Sequence, residues 1–394
     1  MKRNLRKIKN TAHLALAMSA NTLHLFPSRG ICVIGVTGTD GKTTTSSLIY
    51  HILRASGKKV AVISTIGAVI DGKMHETGFH VTTPSPFAIQ KYIKLAKDNK
   101  CTHLVLEVTS HALDQYRVWG INFDVAVLTN ITNEHLDYHK SYENYVDTKL
   151  KLFKKSKIAV CNSNGVWFEK VTQIVPMEKL FSYSLHGASD SDLTVLNSPF
   201  KIKTALIGDF NLENILAASL ACMKLGVDSK TIESAIQSFE APIGRQEVFY
   251  AKNKARVMVD FAHTANSFDG ILPEVRKTTK GKVIHVFGAA GERDRGKRSE
   301  MGKVASYYDD QIILTAEDPR RERVADINSE IMKGILDTQK VHEIEDREEA
   351  IRYAISIAQP DDTVIITGKG HERSMNMGNG EVDWSDQAAV KRYI

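Results

Sequence analysis

GVTGTDGKTTT, residues 35–45, lies between an apolar run at 31–36 and a segment in which Leu48, Ile49 and Ile52 recur at helical spacing. The run reads as a buried parallel strand, so the order is strand, glycine loop, helix. Gly38 and Gly41 let backbone N–H groups turn inward around phosphate oxygens, and the helix starting near Lys42 adds the positive end of its dipole. Lys42 is placed to neutralise β- and γ-phosphates, and the Thr43 hydroxyl to hold Mg²⁺. Thr39, Gly41 and Thr44 complete the candidate nucleotide contacts. The spacing departs from strict G-x-x-x-x-G-K-[ST], because Val36 stands at the first glycine's place and Gly35 falls one position early.

A chain of 394 residues exceeds one ordinary core and fits two or three domains. Hydrophobic residues at 42% and charged residues at 25% give the balance of a globular protein and no ground for disorder. A net charge of +6 suits anionic ligands such as nucleotides, but it is too small and too evenly spread to argue for nucleic acid. Cys32, Cys101, Cys161 and Cys222 lie far apart, so neither a zinc site nor a disulfide framework is expected, and a reducing cytoplasm is the default location. The basic start, MKRNLRKIKNTAHLALAMSANTLHLF, has polar interruptions at His13, Ser19, Asn21 and His24, which predicts an amphipathic helix packed on the first domain rather than a signal peptide. No run approaches a membrane span, so no membrane partner is expected.

Further strands are predicted at 60–70, 103–108 and 125–128, with a loop at 80–86 and helical spacing at 87–96. Strands alternating with helices argue for an α/β fold with a doubly wound parallel sheet. In such sheets ligands collect at the carboxyl ends of the strands. The polar clusters 37–42, 107–111 and 130–135 all fall at such ends and should converge. An Ala-rich helix opens after Gly208 and stops near Gly226, a further helix ends near Phe239, and 241–244 reads as a linker. Strands at 256–260, 283–287, 311–315 and 363–367 then begin a second, Rossmann-like domain. The expected division is an N-terminal helical segment at 1–30, a central P-loop domain at 31–241 and a C-terminal domain at 242–394.

Glu107 is a strand-end carboxylate where a magnesium-binding acid is expected opposite the P-loop. His135, near Asp137 and His139, is a second candidate metal ligand. Lys149 lies on a helix whose other lysines look solvated, and its spacing does not single it out. In the second half, Asp318, Arg320 and Glu372 sit just past strands. Arg320 offers a planar fork for a carboxylate and Glu372 a counter-charge for an ammonium, which together suit an amino-acid substrate.

Taken together, GVTGTDGKTTT, TTPSP, LEVTSHALDQYRV, LTNITNEHLDYHKSYENYVDTKLKLF, GDFNLENILAA, GRQEVF, VDFAHTANS, GAAGERDRGKR, EDPRRE and TGKGHE resemble, in order, the motifs of the Mur ligase family, nearest to its tripeptide-forming branch. The resemblance implies a cytoplasmic ATP- and Mg²⁺-dependent amide ligase of peptidoglycan synthesis. Such an enzyme activates a carboxylate as an acyl phosphate and couples it to an amino acid. By this resemblance Lys42 and Thr43 serve phosphates and Mg²⁺, Glu107 and His135 bind the metal, and Lys149 is the lysine that becomes carbamylated. Asn214, Asp260, His263 and Arg293 match nucleotide positions. Thr83, Ser110 and Arg117 match positions near a muramyl-peptide acceptor, while Arg320 and Glu372 match the pocket for an incoming diamino acid.

The departures also carry expectations. Family members have a separate domain for the uridine diphosphate end of the acceptor, and the residues before the P-loop here are far too few for one. The acceptor is then expected to lack UDP or to be held by a partner, and the oligomeric state stays open between monomer and assembly. Asp40, Glu134, Phe261 and Ala265 stand where Asn, Asp, Tyr and Pro are usual. Asp318 replaces the Asn of a DNPR motif, and its extra carboxylate is expected to favour a side-chain ammonium without a neighbouring carboxylate, as in lysine. The alternatives are a related ligase extending a folate-type polyglutamate or an amino-acid polymer, and a non-catalytic nucleotide-binding partner of a cell-wall enzyme.

Overall fold

The apolar run after Ile31 becomes the central strand of a nine-stranded sheet in the computed structural model, which describes residues 2–78, 82–132, 134, 136–185, 187 and 191–394, with 2–8, 136, 137 and 155 followed as backbone. The chain divides into two compact units. The first runs to Ala205 and resumes over Asp209–Glu240; the second comprises Leu206–Gly208 and Ala241–Ile394.

In chain order the first unit holds α1 (Lys2–Leu23), β1 (Cys32–Thr37), α2 (Lys42–Ala55), β2 (Val60–Ser64), β3 (Gly67–Ile70), β4 (Lys73–His75), α3 (Pro86–Asp98), β5 (His103–Glu107), α4 (Ser110–Asp114) and β6 (Val125–Leu128). It continues with α5 (Leu136–His139), α6 (Tyr142–Leu150), β7 (Ile158–Asn162), α7 (Phe168–Ile174), β8 (Leu180–Ser184), β9 (Leu193–Thr194), α8 (Asp209–Lys224) and α9 (Ser229–Gln237). The sheet order is β4-β3-β2-β5-β1-β6-β7-β8-β9, parallel except for the β2-β3-β4 edge. Helices cover both faces, so β1, β5 and β6 are almost continuously apolar and buried, as parallel strands must be. Gly35 has a packing role: a Cβ there would lie 2.6 Å from the Phe123 ring.

The predicted strand at 60–70 is instead two antiparallel strands, β2 and β3, joined by a turn at Thr65 and Ile66. Ser64, Thr65 and Gly67 interrupt the apolar run VAVISTIGAVI at this point but do not by themselves place the break, where a carboxylate from another strand, described below, holds Thr65. The N-terminal helix packs on α3, and its Ala17 and Ala20 are buried. Asn21 Nδ2 donates to the Trp119 carbonyl at 2.6 Å, fixing its end. Among the described residues no helix is long and apolar enough to cross a membrane.

The second unit holds β10 (Glu247–Tyr250), β11 (Arg256–Val259), α10 (Ala265–Thr278), β12 (Val283–Phe287), α11 (Gly296–Tyr308), β13 (Gln311–Leu314), α12 (Val324–Met332), β14 (Val341–Glu343), α13 (Arg347–Ile357), β15 (Thr363–Ile366), β16 (Ser374–Asn376), β17 (Glu381–Asp383) and α14 (Asp386–Tyr393). Its main sheet runs β10-β11-β15-β12-β13-β14, antiparallel only at β10. Alternate residues of each strand enter separate cores. Met258, Phe287, Leu314 and Ile365 pack with α10, α11 and α12, whereas Val257, Val286, Ile313 and Ile366 pack with α13 and α14.

Candidate active site

The sheet order reverses about β1, and the loops following β1, β5 and β6 meet at its carboxyl end, where doubly wound folds bind ligands. Gly38 (φ 158°) and Gly41 (φ 76°) turn the first of these loops. A Cβ at Gly38 would lie 1.8 Å from Thr129 Oγ1, and one at Gly41 2.2 Å from Asn214 Oδ1, so any larger residue would push away the partners that shape the loop. Thr129 donates to the Asp40 carbonyl at 2.6 Å, Asp40 N–H to Asn130 Oδ1 at 2.8 Å and Thr39 N–H to the Asn130 carbonyl at 2.9 Å. Lys42 Nζ rests on the carbonyls of Gly38 (3.1 Å) and Thr39 (2.6 Å), folded back over its own loop. Thr44 is buried on the first turn of α2. Asn214 accepts from Thr45 Oγ1 at 3.1 Å, so α8 reaches the same loop.

Glu107 closes β5 with its carboxylate buried. Thr43 Oγ1 lies 3.1 Å from both carboxylate oxygens, and Thr65 donates its N–H and its hydroxyl, each at 3.0 Å. These last two bonds fold the chain at Thr65 and end β2. The donor set fits magnesium. A hydroxyl that coordinates a cation must send its proton elsewhere, and Glu107 accepts that of Thr43, leaving oxygen lone pairs for a hard cation. Thr65 goes unread when 60–70 is read as one strand, although Ser64, Thr65 and Gly67 are the available signal of a turn there.

Lys149 is buried, with Nζ 2.6 Å from the Gly38 carbonyl and 4.5 Å from the centre of the Tyr145 ring. Burial, and then repulsion from Lys42, hold its pKa well below that of an ordinary lysine, against the pull of Glu134 and Asp40. Tyr145, four residues earlier on α6, touches Thr39 Oγ1 through its hydroxyl at 3.1 Å. That i,i+4 spacing was the available signal for pairing Tyr145 with Lys149. His135 lies outside the described residues. Among the described residues no cluster of three or more His, Cys, Asp or Glu side chains forms a metal site, and magnesium bound through one or two carboxylates and phosphate requires none.

Thr83, Ser110 and Arg117 gather beside Glu107. Thr83 Oγ1 donates to the Glu107 carbonyl and accepts from Thr109 N–H, both at 3.0 Å. Arg117 Nη1 donates to the Thr83 carbonyl at 2.7 Å, while its Nε and Nη2 hold Gln115 Oε1 at 3.1 and 2.8 Å. Gln115 was missed, although it lies two residues from Arg117. Ser110 Oγ meets His139 Nε2 at 3.0 Å.

In the second unit the residues of interest follow β11, β12, β13 and β15. Asp260 accepts from Gln246 N–H at 2.8 Å and Ala262 N–H at 2.7 Å; burial raises its pKa, opposed by Arg245 and these amides. His263 Nδ1 lies 2.9 Å from the Phe261 carbonyl, and its own carbonyl accepts from Lys297 Nζ at 2.9 Å. Arg293 is exposed on the loop after β12. Asp318 and Arg320 both adopt left-handed backbone, φ 46° and 52°, in a loop held by hydrogen bonds from Gly291 N–H to the Asp318 carbonyl and from Arg320 N–H to the Asn376 carbonyl, each at 3.0 Å.

The extra carboxylate of Asp318 is not left uncompensated. Lys369, completely buried, reaches Asp318 Oδ1 at 2.8 Å and Glu372 Oε2 at 2.6 Å, and Asn376 N–H adds 2.9 Å to the same Asp318 oxygen. The expected surplus of negative charge is therefore offset within the protein. Beside it, burial pushes the Glu317 carboxyl up to about 7 despite Lys297, Arg347 and Lys369.

Arg298, also fully buried, clamps two of these loops. It grips Glu322 with both Nη atoms (2.9 and 3.2 Å), Glu330 at 2.9 Å and the Ala290 carbonyl at 3.1 Å. Hydrogen bonds from Arg298 and from Glu292 N–H hold the Glu322 carboxyl down at about 2. A depressed carboxylate stabilises the fold above its unfolded pKa and ceases to do so as pH falls through its folded one. Glu322→Gln is therefore expected to lower the melting temperature at pH 7, with the gap to wild type narrowing between roughly pH 4.5 and 2. Thermal melts of both proteins across that range check it.

Residues 36–222 match the Mur ligase middle domain, and residues 244–370 the Mur ligase glutamate ligase domain. A UDP-N-acetylmuramoyl-L-alanyl-D-glutamate–2,6-diaminopimelate ligase of Aquifex aeolicus is 37% identical over 398 residues, covering 96% of this chain and 81% of its own length. A UDP-N-acetylmuramyl-tripeptide synthetase of Deinococcus radiodurans is 37% identical, covering 97% of this chain and 82% of its own. A solved structure of a UDP-N-acetylmuramoyl-L-alanyl-D-glutamate–2,6-diaminopimelate ligase superposes with a TM-score of 0.65 at 30% identity, over 93% of this chain and 78% of that one.

Proposed function

Because this chain belongs to the Mur ligase family, we propose that it is an ATP-dependent amide ligase of the MurE type, adding a diamino acid to a muramyl-peptide acceptor in peptidoglycan precursor synthesis. Bound MgATP supplies the phosphoryl group that turns the acceptor carboxylate into an acyl phosphate, which the amine attacks to give amide, ADP and phosphate. The observation that carries this reading is the amine of Lys149, buried on the Gly38 carbonyl beside Lys42, a setting that holds its pKa well below that of an ordinary lysine.

The residues divide the work by chemistry. The amides of the 37–42 loop, the α2 N-terminus and Lys42 hold phosphate, with Thr39, Gly41, Thr44 and Asn214 around them. Thr43 and Glu107, with His135, hold magnesium. Lys149, as its carbamate, presents a carboxylate-like group to that site while its remaining N–H still donates to Gly38. Thr83, Ser110 and Arg117 hold the acceptor. Asp260, His263 and Arg293 belong to the nucleotide, whereas Arg320, Asp318 and Glu372 receive the amino acid. In this reading residues 31–241 form the ATP-binding domain and 242–394 the ligase domain.

The test is phosphate release with MgATP, UDP-N-acetylmuramoyl-L-alanyl-D-glutamate and a panel of amino acids, with Lys42→Ala as the blank. Release that needs both the acceptor and one diamino acid is expected, and the panel names the amine. ATP binding without acceptor-dependent release would overturn the substrate assignment.

A further inference from the structure

His139 sits where the acceptor side of the first unit meets the phosphate side. It ends α5, is buried, and puts Nε2 3.0 Å from Ser110 Oγ. Its ring packs against Tyr138 (4.8 Å between centroids), Tyr145 (5.1 Å) and His111 (5.7 Å). Tyr145 in turn meets Thr39 of the phosphate loop and lies under the Lys149 amine. A ring caged on three sides has little rotational freedom, so the Ser110 hydroxyl is held in one direction by a partner that cannot turn away.

We propose that His139 is a positioning residue for acceptor binding: it fixes the Ser110 hydroxyl, at the start of α4, against the rigid face of Tyr145. This inference rests on the reading that Ser110 contacts the muramyl-peptide acceptor. In this proposal His139 acts through Ser110 and not on the nucleotide or the reacting carboxylate. In sequence it stands only as a neighbour of the candidate metal ligand His135; in the structure its Nε2 is directed at Ser110.

Nothing in the arrangement requires a change in ATP binding when His139 is lost. A serine hydroxyl freed to rotate must be reordered each time the acceptor binds, which weakens ground-state binding without altering the phosphoryl-transfer groups. His139→Phe keeps a ring among the aromatic neighbours and removes the hydrogen bond. Its KM for UDP-N-acetylmuramoyl-L-alanyl-D-glutamate should rise about tenfold, with kcat and the KM for ATP within about twofold of wild type. His139→Gln, whose amide can occupy the place of Nε2, should recover most of that loss. Ser110→Ala combined with His139→Phe should be no worse than the poorer single variant, because both remove one bond.

An unchanged acceptor KM in His139→Phe, a fall in kcat alone, or additive losses in the double variant would each overturn the proposal. If His139→Phe does not fold, His139→Met takes its place in the same cycle and is read in the same way. Wild-type ligation separates the two levels: without it the acceptor assignment fails, and with it the variants test His139 alone.

Discussion

Lys149→Met is expected to abolish ligation, lowering kcat by about 10²–10³-fold, while leaving the fold as stable as wild type or more so. The two halves of that outcome come from one observation. An amine with Nζ on a carbonyl oxygen, buried and facing Lys42, is held well below the ordinary lysine pKa. A lowered pKa favours the uncharged amine, the form that adds carbon dioxide in the mechanism we propose. The proposed carbamate, formed with loss of one proton to solvent, is an anion that would balance Lys42 and suit magnesium.

The sign for stability follows. An unfolded lysine is protonated below about pH 10.5, and because the folded pKa is lowered the contribution of Lys149 to stability falls as pH drops below that value toward the folded pKa. Methionine fills similar space and carries no proton, so the melting temperature should hold or rise, more so toward lower pH. Lys149→Arg, which stays charged and forms no carbamate, should lose both activity and stability. Wild-type activity should also fall in carbon dioxide-free buffer and return with bicarbonate, and intact mass should show one added carbon dioxide. Full activity in Lys149→Met would remove this residue from the mechanism.

Lys369→Met is expected to have the largest effect on stability in the second unit. Its ammonium is completely buried between Asp318 and Glu372, where burial alone would discharge it, but the two carboxylates outweigh that and raise its pKa. A raised lysine pKa stabilises the fold fully below about pH 10.5 and less as pH climbs through the folded value. At neutral pH the interaction is therefore whole. Removing it leaves two carboxylates close together without their counter-ion, a change that costs about 3–5 kcal/mol, or roughly 10 °C in melting temperature.

Lys369→Met with Asp318→Asn should recover part of that loss, since one of the stranded charges goes with it. The single substitution Asp318→Asn should be milder, because Lys369 keeps Glu372 and the Asn376 N–H can still donate to the amide oxygen. Differential scanning calorimetry of the four proteins gives the coupling. Equal melting temperatures in wild type and Lys369→Met would contradict the buried ion pair. Asp318→Asn also tests the amino-acid pocket: with less negative charge around Lys369, the preference among diamino acids should move toward one bearing a side-chain carboxylate.

The sequence by itself determined the alternation of strands and helices, the glycine loop and the residue types that gather around it. These are local: a buried parallel strand must be apolar on both faces, and a tight loop from strand to helix must turn at its glycines, Gly38 and Gly41. Glu107 could also be placed, because strand ends in such a sheet share one edge. Only the tertiary structure decided what those residues do to one another. Thr65 bends the chain because Glu107, 42 residues away, takes its N–H and hydroxyl. Lys149 differs from its neighbouring lysines because of depth and the nearness of Lys42, neither of which leaves a mark on helical spacing. Asp318 read as surplus charge until Lys369, 51 residues on, was found to hold it, and nothing in the sequence pairs His139 with Ser110, 29 residues away. Spacing records what one element needs; burial and charge are sums over elements that only the fold brings together.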